Sequence, residues 1–330
     1  MVLEKEEESR MTISRNIKMA RCLVLFLLLA APLRARADSS ALILSSVPGD
    51  PEHAEKFIKW SDTTRKLLVE KFGFSADRVI QLSDKKTAKA DIMKAFDQLR
   101  AGLKPLDTFF LFFIGHGSYD ADYKFNILGP DLTGSDYNSI LTAFKVGRIV
   151  IVNGTSASGA AIETMAGKNR VIVTATKSGR EGNETLFYEH FLEALQNPAA
   201  DEDKDKKTSV WEAFKFATES VERFYKEQGR MATEHPQISD NGAEMVDLKV
   251  KEPPILARVT TFQVDRPITV SDPKLQGLLN EKREIDQKIE ALKINKGGMA
   301  QETYDKEMED LLIQLALKNQ AIKAQEQKKP

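Results

Sequence analysis

The segment Thr108–Ile114, with the sequence Thr-Phe-Phe-Leu-Phe-Phe-Ile, is the feature that most limits how this chain can fold. A continuous apolar run of this length predicts a strand that is buried on both faces. Such a strand needs helices above and below its sheet. Two further apolar runs, Arg148–Val152 and Arg170–Ala175, predict strands of the same kind.

Amphipathic segments separate these runs. Apolar side chains recur at helical spacing in residues 52–72, 88–103, 135–144, 159–166, 185–195 and 210–225. Buried strands that alternate with such helices predict an α/β domain with a mainly parallel central sheet and helices on both sides. We assign residues 38–242 to this domain.

Residues 1–37 have the pattern of a secretory signal peptide. Basic residues precede the apolar run Cys22–Ala31, and Ala35-Arg36-Ala37 follows it. This order predicts cleavage after Ala37 and export, to the periplasm or outside the cell; the alternative is an uncleaved anchor. Cys22 is the only cysteine of the chain, so the exported protein would contain no thiol.

The composition limits the partners that we expect. Hydrophobic residues make up 42% of the 330 residues and charged residues 29%, which is typical of a globular protein. The formal net charge is −1, so a broad basic surface for nucleic acid is not expected. After signal cleavage we expect no membrane partner either.

The C-terminal part differs in pattern from the α/β domain. Residues 243–271 read as a linker with strand character. Residues 272–330 then carry apolar side chains at alternating three- and four-residue spacing, in two runs separated by Lys296-Gly297-Gly298. This pattern predicts an antiparallel coiled-coil helical hairpin. The hairpin is either a stabilising spacer or an arm for self-association or partner docking.

Two strand ends carry the residues that could perform chemistry. The strand Thr108–Ile114 leads into Gly115-His116-Gly117, and the strand Arg148–Val152 leads into Asn153–Gly159. In parallel sheets, sites form outside the carboxyl ends of the strands, and strands adjacent in sequence are usually neighbours. We therefore expect His116 and Ser156 to face one crevice.

These two turns resemble the caspase/legumain family of peptidases. In that family, a His-Gly ends one apolar strand, and the next strand ends in acidic-Ala-Cys-x-Ser-Gly. On this chain Gly154 takes the acidic position, Thr155 the alanine and Ser156 the nucleophile, while Ser158-Gly159 match directly. The resemblance covers residues 40–240 and implies a three-layer α/β sandwich.

The resemblance also implies roles for individual residues. His116 would be the general base, Ser156 the nucleophile, and the backbone N–H groups of Gly117 and Ser156 the oxyanion donors. Asp120 or Asp122 is a candidate to orient His116, and Ser118 and Ser158 are alternative hydroxyl groups. The family uses a thiol, which ionises far more readily than a serine hydroxyl, so the replacement puts catalysis in doubt.

Three interpretations of the crevice remain open at this point. The domain is a non-catalytic descendant that binds a peptide or protein, a serine-variant hydrolase that uses Ser156 and His116, or a fold whose crevice is only structural. Whether the chain is an enzyme is therefore undecided. A different alternative is an assembly or scaffold protein that acts through the helical hairpin.

A charged loop has the ligand spacing of a calcium site. Oxygen-bearing side chains occupy positions one, three, five, nine and twelve of an EF-hand loop, at Asp201, Asp203, Asp205, Ser209 and Glu212. The sixth position is Lys206 where the motif needs glycine. The alternative is a solvated loop in which Ser209 or Thr208 caps the next helix.

His53 and His190 complete the inventory of candidate ligands. Both fall in predicted helices without histidine, cysteine or acidic residues at metal-binding spacing, so we predict ordinary surface or packing roles. The sequence contains no glycine-rich phosphate loop and no zinc motif. Apart from calcium, no cofactor is expected.

Overall fold

The computed structural model describes residues 38–83, 86–243, 245–250, 254–264, 270 and 272–327. The predicted signal peptide lies outside these residues.

The described residues contain nine strands: β1 (Ser39–Ser45), β2 (Val79–Leu82), β3 (Thr108–Ile114), β4 (Gly117–Tyr119), β5 (Tyr123–Phe125), β6 (Leu132–Thr133), β7 (Arg148–Asn153), β8 (Arg170–Thr174) and β9 (Gln237–Asp240). The α-helices are α1 (Pro51–Lys66), α2 (Lys89–Gly102), α3 (Gly134–Thr142), α4 (Ala160–Met165), α5 (Phe187–Gln196), α6 (Val210–Glu227), α7 (Ile255–Val259), α8 (Pro273–Asn295) and α9 (Gln301–Glu326). A π-helical turn, Leu67–Lys71, extends α1, and single 3₁₀ turns cover Ala76–Arg78, Pro198–Ala200 and Lys296–Gly298.

Six strands form the central sheet, in the order β2-β1-β3-β7-β8-β9. Every neighbouring pair is parallel except β8 and β9, which run antiparallel. The predicted α/β fold with a mainly parallel sheet is confirmed. β3 lies at the centre, between β1 and β7, as its uninterrupted apolar sequence requires.

Alternate residues of the strands supply two separate cores. Ile43 and Phe112 belong to a cluster that includes side chains of α1, α5 and α6. Leu42 and Phe113 belong to a second cluster, with side chains of α2, α3 and α4. Because successive side chains of a strand point to opposite faces, helices cover both sides of the sheet.

A small antiparallel sheet of β4, β5 and β6 was not predicted. Its strands have two or three residues each, too few to show an alternating pattern. Tyr123 and Phe125 are fully buried, and the Phe125 ring lies 4.9 Å from that of Phe113, centroid to centroid. This packing fixes β4 immediately after His116.

Capping side chains set the starts of the helices around the site. Asp50 caps α1, and its carboxylate accepts a hydrogen bond of 3.0 Å from the backbone N–H of His53. Thr133 and Asp136 form a capping box at α3, and Ser209 and Glu212 form one at α6.

The segment expected to be a linker with strand character contains the short helix α7. Pro254 lies at its N-cap, where the missing N–H costs no helical hydrogen bond. Beyond the helix, the backbone N–H of Phe262 donates to the carbonyl oxygen of Thr208 over 2.9 Å. This part of the segment therefore packs on the α/β domain through Phe262, which is fully buried.

The C-terminal residues form the two long helices α8 and α9. The carboxylate of Asp272 caps α8 and also accepts a hydrogen bond of 2.8 Å from Gln325 near the end of α9. Lys318 of α9 forms an ion pair with Glu281 of α8. In the described part of the chain, no helix has both the length and the apolar character that crossing a bilayer requires.

Candidate functional site

The turns after β3 and β7 meet at one edge of the central sheet. The strands are parallel neighbours with Phe113 opposite Asn153, and the N–H of Gly154 donates to the carbonyl oxygen of Phe113 over 3.0 Å. A Cβ atom on Gly117 would lie 2.5 Å from the Thr155 hydroxyl oxygen and 2.7 Å from the Ser156 carbonyl oxygen. Only glycine allows the two turns to approach this closely.

His116 is half-buried, and hydrogen bonds hold both its backbone and its ring. Its backbone N–H donates to the hydroxyl of Ser46 over 2.7 Å, and its Nε2 lies 3.2 Å from the carbonyl oxygen of Pro48. A carbonyl oxygen only accepts, so Nε2 carries the proton and Nδ1 of the neutral ring is unprotonated. Burial lowers the pKa of His116, which keeps the ring neutral at pH 7.

The hydroxyl of Ser156 is hydrogen-bonded to a backbone carbonyl group and not to a base. The side chain is 5% exposed, and Oγ donates to the carbonyl oxygen of Gly117 over 3.1 Å. Ala157, the next residue, has a left-handed backbone with φ of 58°, and its N–H donates to the Glu181 carbonyl oxygen. Within the described residues, no hydrogen bond joins Ser156 to His116, although the two turns are in contact.

Ser158 and Gly159 tie the second turn to the end of β8. The Ser158 hydroxyl accepts hydrogen bonds from the N–H groups of Ala175 and Thr176, over 3.0 and 3.2 Å. The N–H of Gly159 donates to the Thr176 hydroxyl over 2.9 Å. These contacts give both residues a structural role, and Ser158 is fully buried, so it is not an accessible nucleophile.

The other polar candidates of the first turn also have their own partners. Ser118 is exposed, and its hydroxyl donates to Asn126 over 3.3 Å. Asp120 pairs with Lys124, while Asp122 accepts hydrogen bonds from the Ser135 N–H and the Thr164 hydroxyl. We expected one of these two carboxylates to orient His116. Instead, the carbonyl oxygen of Pro48 contacts the His116 ring.

A buried polar group lies beneath the second turn. The Thr155 hydroxyl is 2.8 Å from the Tyr123 hydroxyl and donates to Asn153 Oδ1 over 2.8 Å. Burial raises the pKa of Tyr123, so its phenol stays protonated. The Asn153 side-chain nitrogen has no partner among the described residues.

Gly154 is the residue that the resemblance to the caspase/legumain family places at an acidic position. A Cβ atom here would lie 2.6 Å from Cβ of Tyr188, so the Tyr188 side chain fills the space of a larger residue. The carbonyl oxygen of Gly154 accepts a hydrogen bond of 2.6 Å from the Thr185 hydroxyl. Position 154 therefore carries no carboxylate and has no room for one.

Four charged side chains that we define as the rim cluster, Asp50, His53, Lys56 and Glu184, lie beside His116. The His53 and His116 ring centroids are 4.9 Å apart. Nδ1 of His53 lies 2.6 Å from Asp50, its Nε2 lies 3.4 Å from Glu184, and Glu184 also pairs with Lys56. The hydrogen bond to Asp50 is the main reason that the pKa of His53 is raised.

The rim cluster is the part of the site that sequence reasoning missed. His53 was expected to be an ordinary surface or packing residue. The available signal was Asp50, an N-cap residue whose side chain reaches the third residue of the helix that follows. Glu184 gave no signal, because it is 131 residues further along the chain than His53.

Glu181 links the second turn to the segment before β9. Its backbone carbonyl accepts from Ala157 over 2.8 Å, and its carboxylate lies 2.6 Å from Nδ1 of His235. His235 therefore lies close to the loop that carries Glu181. His190, by contrast, pairs with the exposed Glu193 of its own helix.

The predicted calcium ligands lie in one loop, but most of their oxygens accept backbone hydrogen bonds. Asp201, Asp203 and Asp205 offer carboxylate oxygens within 4.8 Å of one another. Glu212 accepts from Ser209, its partner in the capping box of α6, and from the N–H of Glu202. This agrees with the alternative of a solvated loop before a capped helix, and calcium binding stays a prediction.

Comparisons with known proteins find similar chains among solved structures. No protein-family model matches the sequence, and no curated protein matches it. The fold is similar to a crystal structure of the protein GSU0716 from Geobacter sulfurreducens, with a TM-score of 0.46 and 15% sequence identity, over 69% of this chain and 100% of that chain.

Proposed function

We propose that the α/β domain is a caspase/legumain-like, three-layer sandwich that binds peptides in its crevice without hydrolysing them. The observation that carries the proposal is the hydrogen bond from the Ser156 hydroxyl to the Gly117 carbonyl oxygen. A serine nucleophile needs a base that is hydrogen-bonded to its hydroxyl. Here the hydroxyl donates to a carbonyl oxygen, which accepts the hydrogen bond but is too weak a base to take the proton.

The surroundings of the crevice support peptide binding. His116 offers an unprotonated ring nitrogen as acceptor, and the rim cluster offers charges of both signs beside it. The ring of Phe57, which is 2% exposed, packs edge-on against His116 with 5.0 Å between centroids and supports the His116 ring from within the core. A small number of polar groups held in fixed positions is typical of sites that orient a ligand.

Binding and hydrolysis are separated by two measurements on the same variants. We expect peptides from an array to bind the wild-type protein and the Ser156→Ala variant alike in calorimetry, and to bind His116→Ala at least about tenfold more weakly. Ser118→Ala is the matched control, because its exposed hydroxyl lies beside the crevice. If no peptide binds, the proposal fails.

The second candidate is a hydrolase that uses Ser156 as nucleophile and His116 as base. The observation that favours it is the Nε2 contact with Pro48, which leaves Nδ1 free to accept a proton. A serine-directed fluorophosphonate probe decides between the two candidates. Labelling that is lost in both Ser156→Ala and His116→Ala would establish the hydrolase, whereas the peptide-binding proposal expects no labelling.

We also propose that α8 and α9 form an antiparallel coiled-coil hairpin. The contact between Asp272 at the start of α8 and Gln325 at the end of α9 supports this direction. Proteolysis in the turn at residues 296–298 should leave the two helices associated. Separation of the fragments in native gel filtration would contradict the proposal.

Export is proposed on the pattern of residues 1–37 alone. Signal cleavage after Ala37 gives a mature protein that begins at Asp38. N-terminal sequencing of the protein recovered from the periplasm or the medium tests this. Recovery in the cytoplasmic fraction, with residues 1–37 intact, would contradict it.

A further inference from the structure

The side of α9 that faces away from α8 is apolar and exposed. Leu312, Ile313 and Leu317 are 50%, 51% and 61% exposed. They are three of the nine exposed large hydrophobic side chains in the described part of the chain, and they lie within six residues of one another. A cluster of this kind marks an interaction surface more often than it marks ordinary solvent exposure.

A different stripe of α9 makes the contact with α8. Ile322 is 8% exposed, and Lys318 forms its ion pair with Glu281. Met308, Leu311 and Leu315 lie at heptad-like spacing from these residues and are partly buried. The helix therefore has apolar residues on two sides, as expected of a helix that is buried between two neighbours.

Charge is distributed unevenly along the exposed side. We define this side as the α9 outer face, which consists of Glu302, Asp305, Lys306, Glu309, Leu312, Ile313, Ala316, Leu317, Gln320 and Lys323. Its N-terminal third carries three carboxylates and one lysine and is acidic in net charge, its centre is apolar, and Lys323 lies in its C-terminal third. A shallow groove runs along its acidic and apolar parts, from Asp305 to Ala316.

We propose that the α9 outer face is a dimer interface, on which the α9 helix of a second copy of this chain packs in the antiparallel direction. A two-fold axis brings the acidic end of one helix to the basic end of the other, and apolar centre to apolar centre. A parallel pair would place the acidic ends side by side. The charge pattern therefore favours a second copy in one orientation.

The pattern also defines a register. With the axis at the midpoint of the α9 outer face, between Leu312 and Ile313, Leu312 lies opposite Ile313 of the second copy. The same register pairs Glu302 with Lys323 of the second copy, twice per dimer. The 26 residues of α9 span about 39 Å, and the two copies of α8 and α9 together would make a four-helix arrangement.

The first test measures the oligomeric state by sedimentation velocity on the purified full chain. The wild-type protein should be a dimer at micromolar concentration. Leu312→Glu should weaken dimerisation at least about tenfold, because it places a charge against Ile313 of the second copy. Gln314→Glu is the matched control: it adds the same charge to an exposed position away from the outer face and should leave the dimer intact.

The second test exchanges the charges of Glu302 and Lys323. Both side chains are exposed, so the substitutions should not disturb folding. Glu302→Lys and Lys323→Glu should each weaken the dimer about two- to tenfold, and the double variant should restore it. Circular dichroism of each variant verifies that the helix content is unchanged. A monomeric wild-type protein, including one in which another segment of this chain covers the face, would overturn the proposal. So would a dimer that is insensitive to Leu312→Glu, or a failure of the double variant to recover.

Discussion

The hydroxyl of Ser156 donates its proton to the carbonyl oxygen of Gly117, over 3.1 Å. This bond joins the two turns that the resemblance to peptidases singles out. In the part of the chain that the structure describes, no hydrogen bond joins the Ser156 hydroxyl to the ring of His116, whose Nε2 contacts Pro48 instead. The serine and the histidine of the two turns thus have separate partners.

Replacement of Ser156 by cysteine should yield a thiol whose pKa is ordinary or raised. Ser156 is nearly buried, and burial lowers the pKa of the histidine in the neighbouring turn, so we expect no cation that would stabilise a thiolate there. We expect the thiol pKa of Ser156→Cys to lie at or above about 8.5, from the pH dependence of its alkylation rate. Ser118→Cys, at an exposed position, is the reference. A pKa near 6 at position 156 would reveal an assembled thiolate–imidazolium pair.

The two histidines of the crevice should titrate on opposite sides of the ordinary value of about 6.5. Asp50 raises the pKa of His53, and burial lowers that of His116. NMR titration of the four histidine rings measures both values, and Asp50→Asn should lower the pKa of His53. Equal pKa values for the two rings would contradict the geometry described.

These shifts have opposite effects on stability. The stabilisation from His53 is fully present below about pH 6.5 and is lost as the pH rises through its raised folded-state pKa. The effect of His116 has the other sign, since the folded state holds it neutral and becomes less stable as the pH falls below about 6.5. Denaturant unfolding of His116→Ala and Asp50→Asn from pH 5 to 8 separates the two contributions.

Gly115→Ala should destabilise the fold strongly. Gly115 has a φ of +109°, and a Cβ atom would clash with Ser46 and lie 2.7 Å from the Phe57 ring. We expect a loss of roughly 3 kcal/mol in the free energy of unfolding. Gly129→Ala is the control for backbone strain alone, since its φ is +94° but its Cβ would meet nothing within 4 Å. Equal losses in both variants would rule out the steric contact as the cause.

Glu212→Ala should destabilise the α/β domain by about 1–3 kcal/mol, because it removes a buried capping carboxylate. Glu212 is 8% exposed and accepts from the backbone and the hydroxyl of Ser209. Denaturant unfolding measures the loss. Glu219→Ala, at an exposed position of the same helix, should change the free energy by less than about 0.5 kcal/mol.

The central sheet could be predicted because its strands are buried on both faces. After Thr108, the strand Thr108–Ile114 has no polar residue that would allow another placement, and it lies at the centre of the sheet as expected. The strands β4, β5 and β6 could not be predicted, since they are fixed by the packing of Tyr123 and Phe125 on Phe113. Short strands of this kind depend on tertiary contacts that no local pattern records.

The contact between the two turns also followed from the order of the strands. The individual hydrogen bonds could not be predicted, because each of them depends on the direction of a single side chain. Pro48 lies 68 residues before His116, and its carbonyl group belongs to the backbone, which no residue pattern identifies. The rim cluster was missed for a similar reason, since Glu184 reaches His53 from a distant loop.

The position of Tyr188 limits how the second turn could be redesigned. Because Tyr188 fills the space next to Gly154, any side chain introduced at position 154 would collide with it. A smaller side chain at position 188 would not remove this collision, since Cβ of Tyr188 itself lies 2.6 Å from where the new Cβ atom would be. A carboxylate at position 154 would therefore require a shift of the α5 backbone, and not only substitutions.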